Sequence, residues 1–124
     1  MGLFASDHLQ FDHERRQDAR GEPSLAEMTR FAITHLKDRK EGYVLLIEGG
    51  RIDHAHHGGN AYRALDDTLA LSDAVRVANE LTSSNDTLIM VTSDHAHVMS
   101  MAGYPARGNP ILGLVKNHGG TENG

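Results

Sequence analysis

The sequence predicts one α/β domain, a partial α/β/α sandwich with a mostly parallel sheet. Two short apolar runs, YVLLI at residues 43–47 and TLIMVTS at residues 87–93, are typical of strands that are buried on both faces. A helical pattern separates the runs, and a strand–helix–strand crossover places its two strands parallel. Both strands would then end at one edge of the sheet, where ligands bind in open α/β folds.

The helix before the first predicted strand begins with a clear capping signal. Pro23 suits a first turn, and Ser24 with Glu27 has the spacing of a capping box. The basic KDRK segment at residues 37–40 suits a helix C-terminus, and Gly42 would end the helix. Its predicted buried face follows steps of three and four and comprises Leu25, Met28, Ala32 and Leu36.

A second helix is predicted between the two strands, from about residue 60 to about residue 82, where the SSND segment ends it. Residues 1–22 and 99–124 are predicted to be mostly loop, and the charge run at residues 12–20 is predicted to be solvated. The expected apolar stripe of the second helix comprises Ala61, Leu65, Leu69, Leu71, Ala74, Ala78 and Leu81.

Length, composition and charge exclude several classes of protein. A chain of 124 residues is one domain at most, and no apolar run approaches the roughly 18 residues of a membrane span. The net charge of -5 argues against a nucleic-acid surface, so neither nucleic acid nor a membrane is an expected partner. The chain has no cysteine, which excludes disulfides, thiolate metal sites and a cysteine nucleophile. Its glycine-rich end completes no helix or strand, so the chain is expected to be an internal piece of a longer protein.

Potential metal ligands follow each predicted strand: EGGRIDHAHH at residues 48–57 and DHAH at residues 94–97. Aspartate and neutral histidine are good zinc ligands. Asp53 and His57 are four residues apart, which places both on one face of a helical turn. Asp94 and His95 are adjacent in the second cluster. The combined set has enough carboxylates and imidazoles for more than one metal ion.

Other interpretations of these residues do not involve metal. Asp53 and His57 would also suit a simple helix-surface pair, and a carboxylate after a strand would also cap the next helix. The expected convergence of two clusters at one sheet edge favours the metal interpretation. Four histidines outside the clusters lack this support and are predicted to be surface residues: His8, His13, His35 and His118.

The two clusters also resemble the metal-binding motifs of the alkaline phosphatases. VLLIEGGRIDHAHHGGNAYRAL is similar to the first motif of that family, and TLIMVTSDHAHV to the second. GYPARG at residues 103–108 resembles the stretch that follows, and GEPSLAEMT resembles the start of the upstream helix. The resemblance covers nearly the whole chain. It implies an alkaline phosphatase-like α/β fold, of which this chain would be an internal segment of the catalytic domain.

The resemblance also implies two zinc ions, one magnesium ion and a role for each matching residue. Glu48 corresponds to a magnesium ligand, while Asp53 and His57 correspond to ligands of the first zinc. Asp94 and His95 correspond to ligands of the second zinc. Two more histidines have supporting positions in the family: His97 would orient a zinc-bound aspartate, and His54 would lie near the phosphate.

The activity implied by the resemblance is hydrolysis of phosphate monoesters through a phosphoserine. The family nucleophile is a serine in an Asp-Ser-Ala setting, but this chain contains no Asp-Ser dipeptide. The phosphate-clasping arginine beside that serine has no counterpart either, and neither Arg51 nor Arg107 replaces it. The chain by itself is therefore expected to be inactive. Homodimerisation and a periplasmic or extracellular location are further implications of the resemblance.

Two other functional hypotheses stay open at this stage. A related two-metal phosphodiesterase, phosphomutase or sulfatase would share the Asp–His pattern but use a different nucleophile, such as threonine or a modified cysteine. A non-catalytic metal-binding domain would bind zinc without hydrolysing any phosphoester. The coding sequence that flanks this segment would discriminate among the hypotheses, since Asp-Ser-Ala upstream favours the phosphatase.

Overall fold

The computed structural model describes residues 1–18, 21–100 and 103–115. None of the helices within these ranges is long and apolar enough to cross a bilayer. The longest helix contacts each of the others and is the centre of the helical layer. In chain order the helices are α1 (Asp12–Arg15), α2 (Leu25–Leu36), α3 (Arg51–His57) and α4 (Ala61–Leu81).

The predicted capping box at the start of α2 is confirmed. The backbone N–H of Glu27 donates to Ser24 Oγ at 3.1 Å, and the backbone N–H of Ser24 donates to Glu27 Oε2 at 2.8 Å. These hydrogen bonds satisfy two N–H groups that the first turn leaves without helical partners. The backbone N–H and the hydroxyl of Ser24 both lower the pKa of Glu27, because they favour the charged carboxylate.

The end and the buried face of α2 differ from the prediction. The helix ends at Leu36, so the basic segment and Gly42, whose φ is +73°, lie beyond it. Thr29 and Ile33 are the buried residues, whereas the predicted stripe is only half-buried around them. Thr29 tolerates the interior because its hydroxyl donates to the Leu25 carbonyl oxygen at 2.7 Å. The buried face of α2 is therefore centred on Thr29 and Ile33, next to the stripe of apolar residues that the sequence pattern indicates.

The bounds of α4 agree closely with the predicted helix. Asn60 caps its start by accepting a hydrogen bond from the Arg63 backbone N–H at 3.0 Å. The predicted stripe is right at Ala74 and Ala78, which are buried, and wrong at Leu69, which is 65% exposed. Small side chains form much of the contact face, which allows neighbouring helices to approach closely.

The charge run in the N-terminal segment was predicted to be a solvated loop, and this prediction is wrong. Part of the run forms α1 and pairs with α4. Asp12 accepts hydrogen bonds from Arg15 and Arg16. Both Nη2 contacts of Arg16 to the Asp66 carboxylate are 3.0 Å long. Burial opposes ionisation of Asp12, but the hydrogen bonds from Arg16 and Arg15 outweigh it and lower the pKa. These contacts fasten the N-terminal segment to the central helix.

The two predicted strands do not form a ladder within the described ranges. Residues 43–47 and 87–93 lie outside the helices, and no backbone hydrogen bond joins one run to the other there. In the first run burial alternates, with Val44 98% and Leu46 91% exposed while their neighbours are half-buried. The predicted strands are thus not confirmed within the described ranges, where these segments do not contact the partners that a ladder and a second covering layer require.

A small apolar cluster joins the N-terminal segment, α3 and α4. Phe11 packs with Ala55 of α3 and Ala64 of α4, and all three are buried. The connection between these helices is short because Gly59 takes a φ of +63°, and the Asn60 N–H donates back to the Ala55 carbonyl oxygen at 2.9 Å. This joint holds α3, which carries most of the first ligand cluster, against the central helix.

Candidate metal centre

Asp53 of α3 is the centre of the polar cluster. Its Oδ2 lies 3.3 Å from His57 Nε2, one helical turn further along, as the spacing predicted. The backbone before α3 lies within van der Waals range of α4, since a Cβ on Gly49 would lie 3.5 Å from Leu71 Cβ. The chain therefore passes along α4 as it leads from the first apolar run into the helix that carries Asp53.

The second ligand cluster converges on the same carboxylate. His97 Nε2 lies 3.3 Å from Asp53 Oδ1, and His95 Nε2 lies 3.5 Å from that oxygen. Asp53 and these histidines are about forty residues apart in sequence. The structure therefore brings the two predicted clusters together, although the strands that were expected to align them are not formed within the described ranges.

The tautomer of His97 follows from its backbone contact. Its Nδ1 accepts a hydrogen bond from the Val98 backbone N–H at 2.8 Å, so neutral His97 carries its proton at Nε2. That protonated nitrogen is the one beside Asp53 Oδ1. The side chain of His97 is also largely covered, with its ring stacked on that of His56 at a centroid distance of 4.9 Å. This geometry favours a role in orienting Asp53 over a role as a metal ligand.

His95 has the opposite tautomer. Its Nδ1 lies 2.8 Å from the Ala96 carbonyl oxygen, which only accepts, so Nδ1 is the protonated nitrogen. The neutral ring therefore has its lone pair at Nε2, which faces both Asp53 and Asp94 at 3.5 Å. The hydrogen bond to Ala96 is the main cause that raises the pKa of His95, followed by the charge of Asp94. In its neutral form, His95 can therefore coordinate a cation through the lone pair of Nε2.

The donor set fits a metal ion. Ligand atoms of Asp53, His57 and His97 all lie within 4.8 Å of one another. Ligand atoms on one tetrahedral zinc are separated by roughly 3.3 Å, given bonds of about 2.0–2.1 Å, and the Asp53–His57 contact has that length. Distance alone would make His97 the third ligand beside Asp53 and His57. Its Nε2 carries a proton, however, so His95, whose Nε2 has a free lone pair, is the better third ligand.

Three predicted site residues lie outside this convergence. Glu48 is exposed, and no hydrogen bond or ion pair joins it to another residue of the described ranges. Asp94 contacts His95 but does not reach Asp53. His54 faces away toward the N-terminal segment, with its ring 4.5 Å from that of His8 and its Nδ1 3.3 Å from Arg51 Nη1.

The histidines outside the clusters do not behave alike. His8 and His35 are exposed, as predicted. His13 differs from the prediction, because it is half-buried and packs edge-on against Tyr62 at 5.1 Å. His118 lies outside the described residues.

Comparison with known proteins decides the family. A sequence model described as alkaline phosphatase matches residues 1–122. The chain belongs to the alkaline phosphatase family.

Individual alkaline phosphatases match nearly the whole chain. It is 46% identical over 117 residues to the membrane-bound alkaline phosphatase of Bombyx mori, covering 94% of this chain and 21% of the relative. The tissue-nonspecific isozymes of Gallus gallus and Homo sapiens are each 46% identical over 115 residues, covering 93% of this chain and 22% of the relative. The chain therefore spans about a fifth of the length of the curated relatives that it matches.

Membership of the alkaline phosphatase family gives the cluster a chemical context. The family is metal-dependent and has an α/β fold, and the triad around Asp53 is a possible metal site. Sequence reasoning missed two contacts near this site: the ring of His56 stacks on that of His97 within it, and Arg51 contacts His54 outside the Asp53 cluster. The i, i+3 spacing of Arg51 and His54 was a usable signal for the second contact, whereas the first depends on tertiary packing.

Proposed function

We propose that the complete protein containing this chain hydrolyses phosphate monoesters in a metal-dependent reaction. The observation that carries the proposal is the convergence of His57, His95 and His97 on the single carboxylate of Asp53, at 3.3–3.5 Å. Two motifs of one phosphatase family that lie far apart in sequence meet there. If Asp53 and His57 were only an ion pair on the surface of one helix, the second motif would have no reason to meet them. The family relationship supplies the reaction class.

The proposed cofactors are two zinc ions and one magnesium ion. Asp53 with His57 would hold the first zinc, Asp94 with His95 the second, and Glu48 the magnesium. When bound, such ions lower the pKa of coordinated hydroxyl groups and neutralise charge on the phosphoryl oxygens. In this chain, Nε2 of His97 lies 3.3 Å from Asp53 Oδ1, and the proposed role of His97 is to orient that carboxylate.

The nucleophile is proposed to be a serine outside these 124 residues, acting through a phosphoserine intermediate. No Asp-Ser dipeptide occurs in the sequence. The 124-residue chain alone is accordingly proposed to lack phosphatase activity, while the complete protein has it.

The two apolar runs are proposed to be parallel strands in the complete protein. Side chains such as Val44, Leu46, Leu88 and Met90 are at least four-fifths exposed here. Burying them would stabilise the fold, since about 25 cal/mol is gained per Å² of apolar surface removed from water. Neighbouring strands from the remaining four-fifths of a family-sized chain would supply both the ladder and the covering layer.

Other properties that the family resemblance implies are proposed with it. A periplasmic or extracellular location is proposed for the complete protein, and one relative is named a membrane-bound alkaline phosphatase. Phosphate monoesters are the proposed substrates, homodimerisation is the proposed assembly, and nucleic acid is not a proposed partner.

Zinc titration combined with a phosphatase assay tests the proposal. The chelator-treated complete protein should recover p-nitrophenyl phosphate hydrolysis as two zinc ions bind, whereas the 124-residue chain should show no hydrolysis above background. Chelator-sensitive activity in the chain alone would contradict the external nucleophile. A complete protein that binds zinc but cleaves no phosphoester would support the non-catalytic hypothesis. Preference for diesters or sulfate esters would favour the related hydrolases.

A further inference from the structure

The turn that follows α4 contains the tripeptide Asn85-Asp86-Thr87. An asparagine with serine or threonine two positions later, and any residue except proline between them, is the acceptor sequence for N-linked glycosylation of secreted proteins. None of the other asparagines in the sequence has this pattern. The tripeptide lies outside both ligand clusters, so the metal chemistry does not account for it.

The backbone of this turn is held by hydrogen bonds to Ser83. The Ser83 carbonyl oxygen accepts from the backbone N–H groups of Asp86 at 3.1 Å and Thr87 at 2.9 Å. The backbone N–H of Asn85 donates to Ser83 Oγ at 3.3 Å. Ser83 therefore fixes the turn without any contribution from the Asn85 side chain.

The side chain of Asn85 is available for modification. Asn85 and Asp86 are exposed, and no hydrogen bond joins the Asn85 amide group to another residue that the structure describes. The Thr87 hydroxyl donates to Asp86 Oδ1 at 2.7 Å, so its contact lies inside the tripeptide. An oligosaccharide on Asn85 Nδ2 would therefore break no hydrogen bond in the described part of the chain.

The composition of the turn indicates that it stays at the surface of the complete protein. Residues 82–86 are all polar, and covering the Asp86 carboxylate with protein would require a partner for its charge. Connections between a helix and a strand also run over the surface of a fold. The turn thus differs from the second apolar run, whose exposed Leu88 and Met90 are proposed to be covered by neighbouring strands.

The turn and the candidate metal centre lie at opposite ends of the second apolar run. Thr87 begins the run, and Asp94 follows it. With the run extended as a strand, as proposed for the complete protein, the backbone from Thr87 to Asp94 spans roughly 20 Å, at about 3.3 Å per residue. A bulky group on Asn85 would therefore leave the centre open to substrate.

We propose that Asn85 of the complete protein carries an N-linked oligosaccharide. The donor is an oligosaccharide joined to a lipid through a diphosphate. In the transfer, Asn85 Nδ2 forms a bond to the anomeric carbon of the first sugar, and the bond from that carbon to the diphosphate oxygen breaks. The lipid diphosphate leaves with the bonding electron pair, and the proton lost from Nδ2 passes to a base of the transferase.

Mass spectrometry of the complete protein, isolated from the cells that make it, tests the modification directly. This inference rests on the extracellular location proposed for the complete protein and is independent of the proposed catalysis. Peptide N-glycosidase in ¹⁸O-labelled water should convert Asn85 to ¹⁸O-labelled aspartate. Asn79 is the matched control, because it is exposed but followed by Glu-Leu, and it should stay unlabelled. An unlabelled Asn85 would overturn the proposal.

Substitutions in the complete protein secreted from insect cells test the acceptor sequence. Asn85→Gln and Thr87→Val should each remove one glycosidase-sensitive step in gel mobility, since valine keeps the shape of threonine but lacks its hydroxyl. Thr87→Ser keeps the acceptor pattern and should keep the step, as should Asn79→Gln. A step that survives Asn85→Gln or Thr87→Val would overturn the proposal. The mass measurement on the wild-type protein decides the question even where a variant is not secreted.

A phosphatase assay separates this inference from the proposed function. Asn85→Gln should change kcat/KM for p-nitrophenyl phosphate by less than about twofold, because the turn lies away from the metal centre. An active enzyme with an unmodified Asn85 would overturn the oligosaccharide and leave the proposed function in place. An inactive protein with a modified Asn85 would overturn the proposed function and support the oligosaccharide.

Discussion

The helical layer and the two apolar runs differ in where their stabilising partners lie. Ile33 of α2 is 3% exposed within this chain, whereas Val44 in the first run is 98% exposed. Helices satisfy their backbone hydrogen bonds internally, so α2 and α4 need only one covering face. Strands depend on neighbours for every backbone hydrogen bond. The contrast separates the part of the fold that this chain covers by itself from the part that it leaves exposed.

The largest expected effect comes from Asp53, which links α3 to the segment after the second run. Asp53→Asn keeps the side-chain size but removes the charge that faces three histidines. Hydrolysis of p-nitrophenyl phosphate by the complete protein should fall at least about 10³-fold, since loss of a supporting group alone costs roughly 10–100-fold. Asp73→Asn, which disrupts only an exposed pair with Arg76, is the control and should stay near wild type. Comparable losses in both variants would remove Asp53 from the centre of the site.

The next largest effect is a difference in unfolding free energy between substitutions in the helical layer and in the first apolar run. Ile33→Ala should lower the free energy of unfolding of the chain by about 2–4 kcal/mol, because it removes buried methyl and methylene groups and leaves a cavity. Leu46→Ala should change it by less than about 0.5 kcal/mol, since Leu46 is 91% exposed. Urea denaturation followed by circular dichroism measures both. A large loss from Leu46→Ala would show that the first run is covered in the isolated chain.

The same Leu46 substitution should behave differently in the complete protein. If the first run is a strand of a covered sheet there, Leu46→Ala should lower the melting temperature, with a cost of about 2 kcal/mol. Comparing the shift with that of Glu41→Ala, an exposed residue just before the run, controls for general surface effects. Unchanged melting of the Leu46 variant would contradict the proposed sheet.

The smallest expected effect is on the local capping signal of α2. Ser24→Ala should cost about 1 kcal/mol of unfolding free energy, and Ser72→Ala on the exposed side of α4 is the matched control. The backbone N–H of Ser24 is the main cause that lowers the pKa of Glu27, and it survives this substitution, whereas the hydroxyl, the second cause, is lost. The part of the cost that comes from the hydroxyl's bond to the carboxylate is fully present above the ordinary pKa of 4.5 and is lost as pH falls through the lowered pKa. The part that comes from the bond of the Glu27 N–H to the hydroxyl stays. Urea titrations at neutral and acidic pH should therefore give a smaller cost at acidic pH, and a cost that rises on acidification would contradict this account.

Local signals predicted the starts of α2 and α4 well, whereas α1 was predicted as loop and α3 was not predicted as a separate helix. Ser24 with Glu27 located the start of α2, and Asn60 located the start of α4, because capping depends on residues within one turn. Sequence patterns were weaker for the packing faces. Leu69 is exposed although it fits the helical period. The reason is that a neighbouring helix, and not periodicity alone, decides which side of a helix is covered.

The N-terminal segment was the least predictable region. Its charges resemble those of a solvated loop, yet Arg16 pairs with Asp66 fifty residues away. Phe11 gave no signal in sequence, although it packs beneath Arg51 and against two helices. Such contacts depend on the path of the chain in three dimensions, which spacing along the sequence does not encode.

The sequence by itself determined the family, the starts of α2 and α4, and the two clusters whose residues meet at the candidate centre. Asp53 and His57 were recognisable because helix geometry fixes an i, i+4 pair. Tertiary structure alone decided that His95 and His97 reach the same carboxylate, and that their protons lie on different ring nitrogens. The physical reason is that a tautomer is selected by the hydrogen-bond partners of each ring, and those partners are defined only once the backbone has folded around it.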